Sequence, residues 1–131
     1  MILIDSNIPM YLIGADHPNK RRAISLLERF VRDEERLVSD AEVLQEILHR
    51  YSAIQRLDAI QPAFDALVGL VDEVFEVGAA DMLRAKDLFV AYSSISARDA
   101  VHAAVMTTQE ISRIFSLDAH FDELTFLTRI A

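Results

Sequence analysis

The sequence predicts an α/β fold of three layers, with helices on both faces of a central, mostly parallel sheet of four to five strands. Short apolar runs alternate along the chain with longer stretches in which apolar residues recur every three to four positions. These are the patterns of strands and of helices, respectively. Only three glycines and three prolines occur among 131 residues, which favours regular elements with short connections. Strands that alternate with helices in this way favour parallel pairing with helices on both faces.

The predicted strands are four short apolar runs and one weaker run. Ile2–Ile4 is apolar at every position, as expected of a strand that is buried on both faces. Leu37–Val38, Val74–Val77 and Ile114–Ser116 follow, each before a small or acidic residue or within a few residues of one. Phe126–Leu127 is predicted to be a fifth, short strand at the edge of the sheet.

The predicted helices are recognised by their apolar period and by residues that suit helix ends. Asn19 and Ser96 are predicted N-caps, and Pro62 suits the first turn of a helix. The apolar stripes predict six helices, which cover Ile8–Ile13, the segment from Asn19 to Val31, Val43–Tyr51, the segment from Pro62 to Val71, Met82–Tyr92 and the segment from Ser96 to Met106.

Composition restricts the functional classes. The chain is 52% hydrophobic and 26% charged, which is typical of a folded domain, and its length suits one domain over residues 1–131. The absence of cysteine excludes disulfides, cysteine-bound zinc and a catalytic thiol. No apolar run approaches the roughly 20 residues that span a membrane, and the first residues do not resemble a signal peptide, so we expect a cytoplasmic protein. The net charge of −8 argues, by itself, against a nucleic-acid partner.

Four carboxylates are predicted to meet at one edge of the sheet. They are Asp5, Glu42, Asp99 and Asp118, each at a predicted strand end or in the first turn of a predicted helix. Open parallel sheets bind ligands at the carboxyl ends of their strands. Because clustered carboxylates repel one another, the usual solution is a divalent cation such as Mg²⁺ or Mn²⁺, which prefers oxygen ligands.

Each acid also has a structural explanation. Ser39-x-x-Glu42 matches a capping box, Ser96-x-x-Asp99 is a weaker variant of it, and Asp118 suits a turn. Asp5 ends a buried strand and is poorly explained by capping. The metal hypothesis therefore depends on the convergence of all four acids.

Four motifs resemble those of PIN-domain proteins and, within that family, of the VapC toxins of bacterial toxin–antitoxin pairs. The motif from Ile95 to Ala104, with Asp99 inside it, is the most specific. The others are Ile2-Leu3-Ile4-Asp5-Ser6-Asn7, Ala41-Glu42-Val43-Leu44 and the segment from Phe115 to Asp122. Together they cover almost the whole chain in the order expected of a single PIN domain.

The resemblance implies an endoribonuclease that depends on one or two Mg²⁺ or Mn²⁺ ions. By transfer, Asp5 and Asp99 are the first metal ligands, and Glu42 and Asp118 complete the pocket, partly through water. Such a metal orients and activates a water for attack on an RNA phosphodiester. Ser6 and Ser116 are then expected to orient carboxylates.

Several secondary assignments stay open. Glu46 lies one helical turn after Glu42 on the same face, so either can be the second acid. Glu42 is preferred because it is nearer the strand end and fits the motif better. Asn7 and Asp122 are weaker site candidates, and Asn7 can equally cap the short helix that follows it.

Three residues within or next to the motifs are given a structural role or left with two possible roles. Asp40 is interpreted as a loop or cap residue. His102 lies three residues after Asp99 and can border the pocket, but a structural role is favoured. Arg98 can meet the substrate or pair with an acid.

The resemblance also implies partners. The first is a cognate VapB-type antitoxin that covers the acidic pocket. The second is an RNA substrate, for which the resemblance suggests transfer RNA. The third is a second copy of the chain, in a homodimer within a larger toxin–antitoxin complex. No membrane partner is expected.

Other functional classes fit less well. A catalytically silent or housekeeping PIN-fold protein that binds or processes RNA is the main alternative. Haloacid-dehalogenase-type phosphatases need a second Asp two residues after the first, where this chain has Asn7. These phosphatases and response-regulator receivers also use a late lysine, whereas the only lysines here are Lys20 and Lys86.

Overall fold

The computed structural model describes all 131 residues and contains one sheet of five strands that all run parallel. The strands are β1 Ile2–Ile4, β2 Leu37–Asp40, β3 Glu73–Phe75, β4 Arg113–Phe115 and β5 Thr128–Ile130. Their order across the sheet is β3-β2-β1-β4-β5, so the chain builds outward from β1 on one side and then crosses to the other. The carboxyl ends of β1 and β4 therefore flank the point where the strand order reverses, which is the usual ligand site of open parallel sheets.

Six α-helices connect or follow the strands. They are α1 Asn7–Ile13, α2 Pro18–Arg32, α3 Ala41–Ala53, α4 Ile60–Leu70, α5 Ala79–Ala91 and α6 Ala97–Thr108. Two short 3-10 helices lie at Leu57–Ala59 and Ala119–Glu123. None of the helices combines the length and the apolar character that a membrane crossing requires.

Two hydrophobic cores lie on opposite faces of the sheet, because successive residues of a strand point to opposite sides. Leu3 of β1 belongs to the core that is covered by α5 and α6. Ile2 and Ile4 belong to the core that is covered by α1 to α4. This arrangement confirms the predicted three-layer α/β/α fold with a parallel central sheet.

Two predicted details differ from the structure. The fifth strand is Thr128–Ile130, because the Thr128 N–H bonds the Ser112 carbonyl (2.7 Å) while buried Leu127 packs into the core instead of pairing. The N-cap of α2 is His17, not Asn19, and the His17 Nδ1 accepts a hydrogen bond from the Asn19 N–H (3.0 Å). Pro18 at the first helical position moves the cap to the residue before it.

Candidate active site

A polar cavity of about 430 Å³ opens at the carboxyl ends of β1 and β4. Three of the four predicted acids line it, and Glu46 lines it as the fourth acid. The full lining is Asp5, Ser6, Asn7, Met10, Tyr11, Glu46, Arg50, Tyr51, Ser96, Arg98, Asp99 and Asp118. The predicted convergence at one edge of the sheet is thus present in the structure for Asp5, Asp99 and Asp118.

Asp5 follows β1 directly and is only 4% exposed. Its Oδ1 accepts a hydrogen bond from the Ser6 N–H (2.7 Å), and its Oδ2 accepts one from the Ser116 hydroxyl (2.5 Å) and one from the Asn7 amide (3.3 Å). Burial raises the pKa of Asp5 from 3.8 to about 6, although the charge of His102 opposes this rise. The protein therefore holds this carboxylate in one orientation at a place where its charge is costly.

Ser116 and Asn7 join the ends of β1 and β4. The Ser116 hydroxyl, besides donating to Asp5, accepts from the Asn7 amide (3.2 Å) and from the Asp118 N–H (3.0 Å). The side-chain Oδ1 of Asn7 accepts a hydrogen bond from the Leu117 N–H (3.3 Å). The Asn7 side chain is thus part of the site network, and Ser6, not Asn7, is the N-cap residue of α1.

Glu46 reaches the cavity from α3. Its Oε2 accepts a hydrogen bond from the Ser6 hydroxyl (2.6 Å), and its Oε1 meets the Nε2 of His102. Burial by itself would raise the pKa of Glu46, but the hydrogen bonds from His102 and Ser6 and the His102 charge outweigh it and lower the pKa. The carboxylate is therefore fixed through both oxygens and stays ionised.

Two predicted acids do not line the cavity. Glu42 lies one turn before Glu46, and its pKa is raised mainly by burial. The sequence favours Glu42 because it is nearer the strand end and fits the motif better, but the side chain that reaches the cavity is that of Glu46. The capping box predicted for Ser39 and Glu42 is also absent, because α3 is capped by Asp40. Asp122 is exposed and pairs with Arg129, with both donor–acceptor distances 2.9 Å.

Asp99 and Asp118 form the other side of the cavity. Asp99, 6% exposed, forms the predicted capping box with Ser96, through bonds of 3.2 and 3.1 Å. Burial raises the pKa of Asp99, and the charge of Asp118 adds to the rise while the Ser96 hydrogen bonds oppose it. Asp118 accepts from the His120 N–H (2.9 Å) in the turn after β4. Asp99 therefore has two roles, one structural and one in the acidic cavity.

His102 and Asp40 form a buried pair beside the cavity that the sequence did not predict, although Asp40 is the cap residue it was interpreted to be. His102 is fully buried, and its Nδ1 lies 2.7 Å from the Asp40 Oδ2 while its Nε2 contacts Glu46. Burial alone would lower the pKa of His102, but the carboxylates of Asp40, Glu46 and Asp5 outweigh it and raise the pKa well above 6.5. His102 is therefore an imidazolium that donates to two carboxylates. One signal was available in the sequence, since His102 is the only polar residue in the run from Ala100 to Met106.

The donor chemistry of the cavity fits a divalent cation that prefers oxygen. Ligand atoms of Asp5, Glu46 and His102 lie within 4.8 Å of one another, as do those of Asp99, Asp118 and His120. Both nitrogens of His102 already donate to carboxylates, so carboxylate oxygens are what the first group offers a metal. Oxygen-only donor sets suit Mg²⁺ and Mn²⁺.

Positive charge at the cavity comes from Arg50 and Arg98. Both line the cavity, and neither has a carboxylate within the 4.0 Å of a salt bridge, unlike Arg113 or Arg129. Arg98 lowers the pKa of Glu46 through its charge, although less than His102 does. The cavity thus combines an acidic floor with two arginines that are free to meet an anion.

Comparisons with known proteins agree with this geometry. Residues 2–127 match the PIN domain family. The chain is 55% identical to Ribonuclease VapC13 of Mycobacterium tuberculosis and to a VapC ribonuclease of Mycobacterium bovis, over all 131 residues and the whole of each relative. It is 35% identical to Ribonuclease VapC23 of Mycobacterium tuberculosis, over 90% of this chain and 93% of that protein.

Solved structures show the same fold. Mycobacterium tuberculosis VapC20, described as a sarcin–ricin loop cleaving toxin, superposes with a TM-score of 0.78 at 21% identity, over 97% of each chain. VapBC2 of Rickettsia felis, bound to a DNA fragment from its promoter, gives a TM-score of 0.75 at 16% identity, over 99% of this chain and 98% of that one. With the family match and the full-length relatives, these findings establish that the chain belongs to the PIN-domain family, as a VapC-type toxin.

Proposed function

We propose that this VapC-type ribonuclease hydrolyses RNA phosphodiester bonds with one or two Mg²⁺ or Mn²⁺ ions that are held by Asp5, Glu46, Asp99 and Asp118. The observation that carries the proposal is the convergence of four carboxylates, from four separate segments, on one cavity. The ribonuclease names of relatives that are 55% identical over the full chain support the same activity. We propose Glu46 in place of Glu42 because Glu46 lines the cavity and is fixed through both oxygens.

In this reaction the protein's own residues hold the charged carboxylates in fixed orientations. Asp5 is oriented by three hydrogen-bond donors, and Ser116 and Asn7 are the two that come from side chains. The raised pKa of Asp5 means that its negative charge is not fully balanced by the surrounding protein, and a bound cation would balance it. A bound divalent cation supplies stabilisation of the charge that develops on the phosphate and lowers the pKa of a coordinated water.

We propose that Arg50 and Arg98 bind phosphates on either side of the cleaved bond. Both arginines line the cavity, and RNA supplies the anion that they lack. Tyr11 and Tyr51 line the same space and offer rings on which unpaired bases can stack. The net charge of −8 then predicts weak binding to bulk RNA and recognition of a particular shape, of which a transfer RNA loop is the family-level example.

We propose a VapB-type antitoxin as the partner. The structural relatives include VapBC2 of Rickettsia felis and the toxin–antitoxin complex of Klebsiella pneumoniae. An antitoxin segment that presents an arginine to the acidic cavity would form charge-assisted hydrogen bonds there and exclude the metal.

We also propose that the toxin forms a homodimer within a larger toxin–antitoxin complex and acts in the cytoplasm. Growth arrest on expression that a co-expressed antitoxin relieves would separate this toxin from a silent or housekeeping PIN protein.

The test compares two glutamates one helical turn apart. Purified protein is expected to cleave RNA with Mn²⁺ or Mg²⁺, and EDTA is expected to stop cleavage. Glu46→Gln should reduce the cleavage rate on the order of 100-fold, the scale of losing one charge-stabilising group. Glu42→Gln is the matched control and should cleave at close to the parent rate.

Two results would contradict the proposal. Cleavage that persists at the parent rate in EDTA would exclude a metal-dependent reaction. Loss of cleavage in Glu42→Gln, with full activity in Glu46→Gln, would return the second acid to position 42.

A further inference from the structure

We propose that His102, anchored by Asp40, is a positioning residue that holds Glu46 in place for the metal. This inference rests on the proposed function, because it concerns one of the four acids assigned there. The juxtaposition that supports it is a ring with a carboxylate at each nitrogen, Asp40 on one side and Glu46 on the other. Neither His102 nor Asp40 lines the cavity, so both act through Glu46 and do not touch the substrate.

Asp40 is fixed independently of His102. Its Oδ1 accepts a hydrogen bond from the Val43 N–H (3.0 Å) as the N-cap of α3, and its Oδ2 lies 2.7 Å from the His102 Nδ1. Asp40 is fully buried at the end of β2, so it has no alternative partner in water. The imidazole is thus held by a carboxylate that is itself tied to the start of the helix that carries Glu46.

Glu46 is held at both ends of its carboxylate. The Ser6 hydroxyl donates to Oε2 (2.6 Å), and the His102 Nε2 contacts Oε1. A glutamate side chain has several rotatable bonds, so two anchors remove rotamers that would carry it out of the cavity. Without His102, the Ser6 hydroxyl would be the one hydrogen-bond donor left.

The same histidine relates the two sides of the cavity. His102 and Asp99 lie three residues apart on α6, whereas Glu46 is on α3. The contact between His102 and Glu46 therefore helps to set the separation of Glu46 from Asp99. The Nε2 of His102 is 3.8 Å from the Asp5 Oδ1, too far for a hydrogen bond, so Asp5 is left available to a cation.

The surroundings of the ring also favour a positioning role. The carboxylates of Asp5, Asp40 and Glu46 each lie within 4.0 Å of a His102 ring nitrogen. A side chain at position 102 that cannot bridge Asp40 and Glu46 would leave both carboxylates without this partner, and Glu46 is the one with cavity space to move into.

The experiment measures Mn²⁺ affinity by calorimetry on the RNA-free protein, together with RNA cleavage. His102→Gln should weaken Mn²⁺ binding by about 10- to 100-fold, the usual effect of losing a group that orients a metal ligand. The cleavage kcat should fall while KM for RNA changes little. His49→Gln, on the exposed surface of α3, is the matched control and should leave both quantities unchanged.

A double-mutant cycle separates positioning from a general structural role. In the Glu46→Gln background, His102→Gln should weaken Mn²⁺ binding no further, because the group it orients is already altered. Asp40→Asn keeps the helix cap, since asparagine is also a good N-cap, but removes the charge that anchors His102. It should weaken Mn²⁺ binding in the same direction, and it provides the test if circular dichroism shows that His102→Gln does not fold.

The outcomes are distinguishable. If Glu46→Gln weakens Mn²⁺ binding but His102→Gln and Asp40→Asn both bind as the parent does, the inference is overturned and the proposed function stands. Additive losses in the double mutant would also overturn it, because His102 would then act independently of Glu46. If Glu46→Gln itself binds Mn²⁺ as the parent does, the assignment of Glu46 and the inference fall together.

Discussion

Replacing Asp5 with asparagine is expected to stabilise the metal-free protein while it removes a metal ligand. Asp5 is 4% exposed, and burial raises its pKa to about 6. An ionised carboxylate there destabilises the folded state, because an unfolded chain would hydrate it fully. Asparagine has nearly the same shape, its side-chain oxygen can still accept from the Ser6 N–H, and its amide can donate to the Ser116 hydroxyl, which then turns to accept. The Asn7 amide, 3.3 Å from the Asp5 Oδ2, loses its acceptor there, which offsets part of the gain. The variant therefore removes the unfavourable charge with little change in packing.

The magnitude follows from the shift in pKa. From the ordinary value of 3.8 to about 6, the shift corresponds to about 3 kcal/mol of unfolding free energy at pH 8. The sign follows from proton binding: between these two pKa values the folded state binds more protons than the unfolded state, so stability falls as pH rises. The advantage of Asp5→Asn should therefore be greatest at pH 7–8 and shrink to less than about 1 kcal/mol at pH 4. At pH 8 this corresponds to a rise in Tm on the order of 10 °C.

The assay is urea denaturation in EDTA at pH 4, 6 and 8, followed by circular dichroism. Asp33→Asn, on the exposed surface after α2, is the control and should show no such pH-dependent gap. Addition of Mn²⁺ should stabilise the parent more than Asp5→Asn, since the variant lacks a metal ligand. If Asp5→Asn is less stable than the parent at pH 8, or if its advantage does not change with pH, the argument from burial is refuted.

Two further predictions concern binding. Arg50→Ala and Arg98→Ala should each weaken RNA binding and lower the slope of log K against log salt by about 0.7, the value per phosphate contact on a single strand. Arg32→Ala, exposed and outside the cavity, should leave the slope unchanged, and a similar drop in this control would exclude a specific role for the cavity arginines. Ser116→Ala removes a hydrogen bond that lowers the pKa of Asp5, so that pKa should rise further and Mn²⁺ binding should weaken by about 10-fold. Calorimetry and the carboxyl titration in NMR spectra measure these two changes, and an unchanged Mn²⁺ affinity would show that Ser116 does not orient Asp5.

Local sequence pattern is enough to predict most of the fold and three of the four cavity acids. The all-apolar run of β1 is decisive, because a strand buried on both faces must lie in the middle of a covered sheet. Once β1 is central, Asp5 must lie at the carboxyl edge, and Asp118 follows the neighbouring strand β4 to the same place. Asp99 is predictable for a similar reason, since its capping box fixes the first turn of α6.

The remaining details depend on register and on contacts between distant segments. Glu42 and Glu46 lie one turn apart on the same face of α3, so local pattern does not separate them, and it is contacts with Ser6 and His102 that hold Glu46 at the cavity. The start of α3 is also open in sequence, because both Ser39 and Asp40 are good caps. The Ser39 hydroxyl instead donates to the Ile4 carbonyl (2.9 Å), a contact between neighbouring strands that no local pattern encodes. Asp40 and His102 are 62 residues apart in the chain, so spacing gives no sign of their pairing.

The net negative charge of the chain is compatible with an RNA substrate, because part of that charge lies in the buried carboxylates around His102 and in the cavity. The formal net charge of −8 treats histidine as neutral, whereas His102 is held as an imidazolium among carboxylates. That charge compensates Asp40 and Glu46, and burial still leaves Asp5 and Asp99 with raised pKa values. His102 thus compensates the two carboxylates that it contacts, whereas Asp5, 3.8 Å from the His102 Nε2, is left for the proposed cation to neutralise. A contact between His102 and Asp5 as close as the one with Glu46 is therefore expected to stabilise the metal-free protein and to weaken the binding of Mg²⁺ or Mn²⁺.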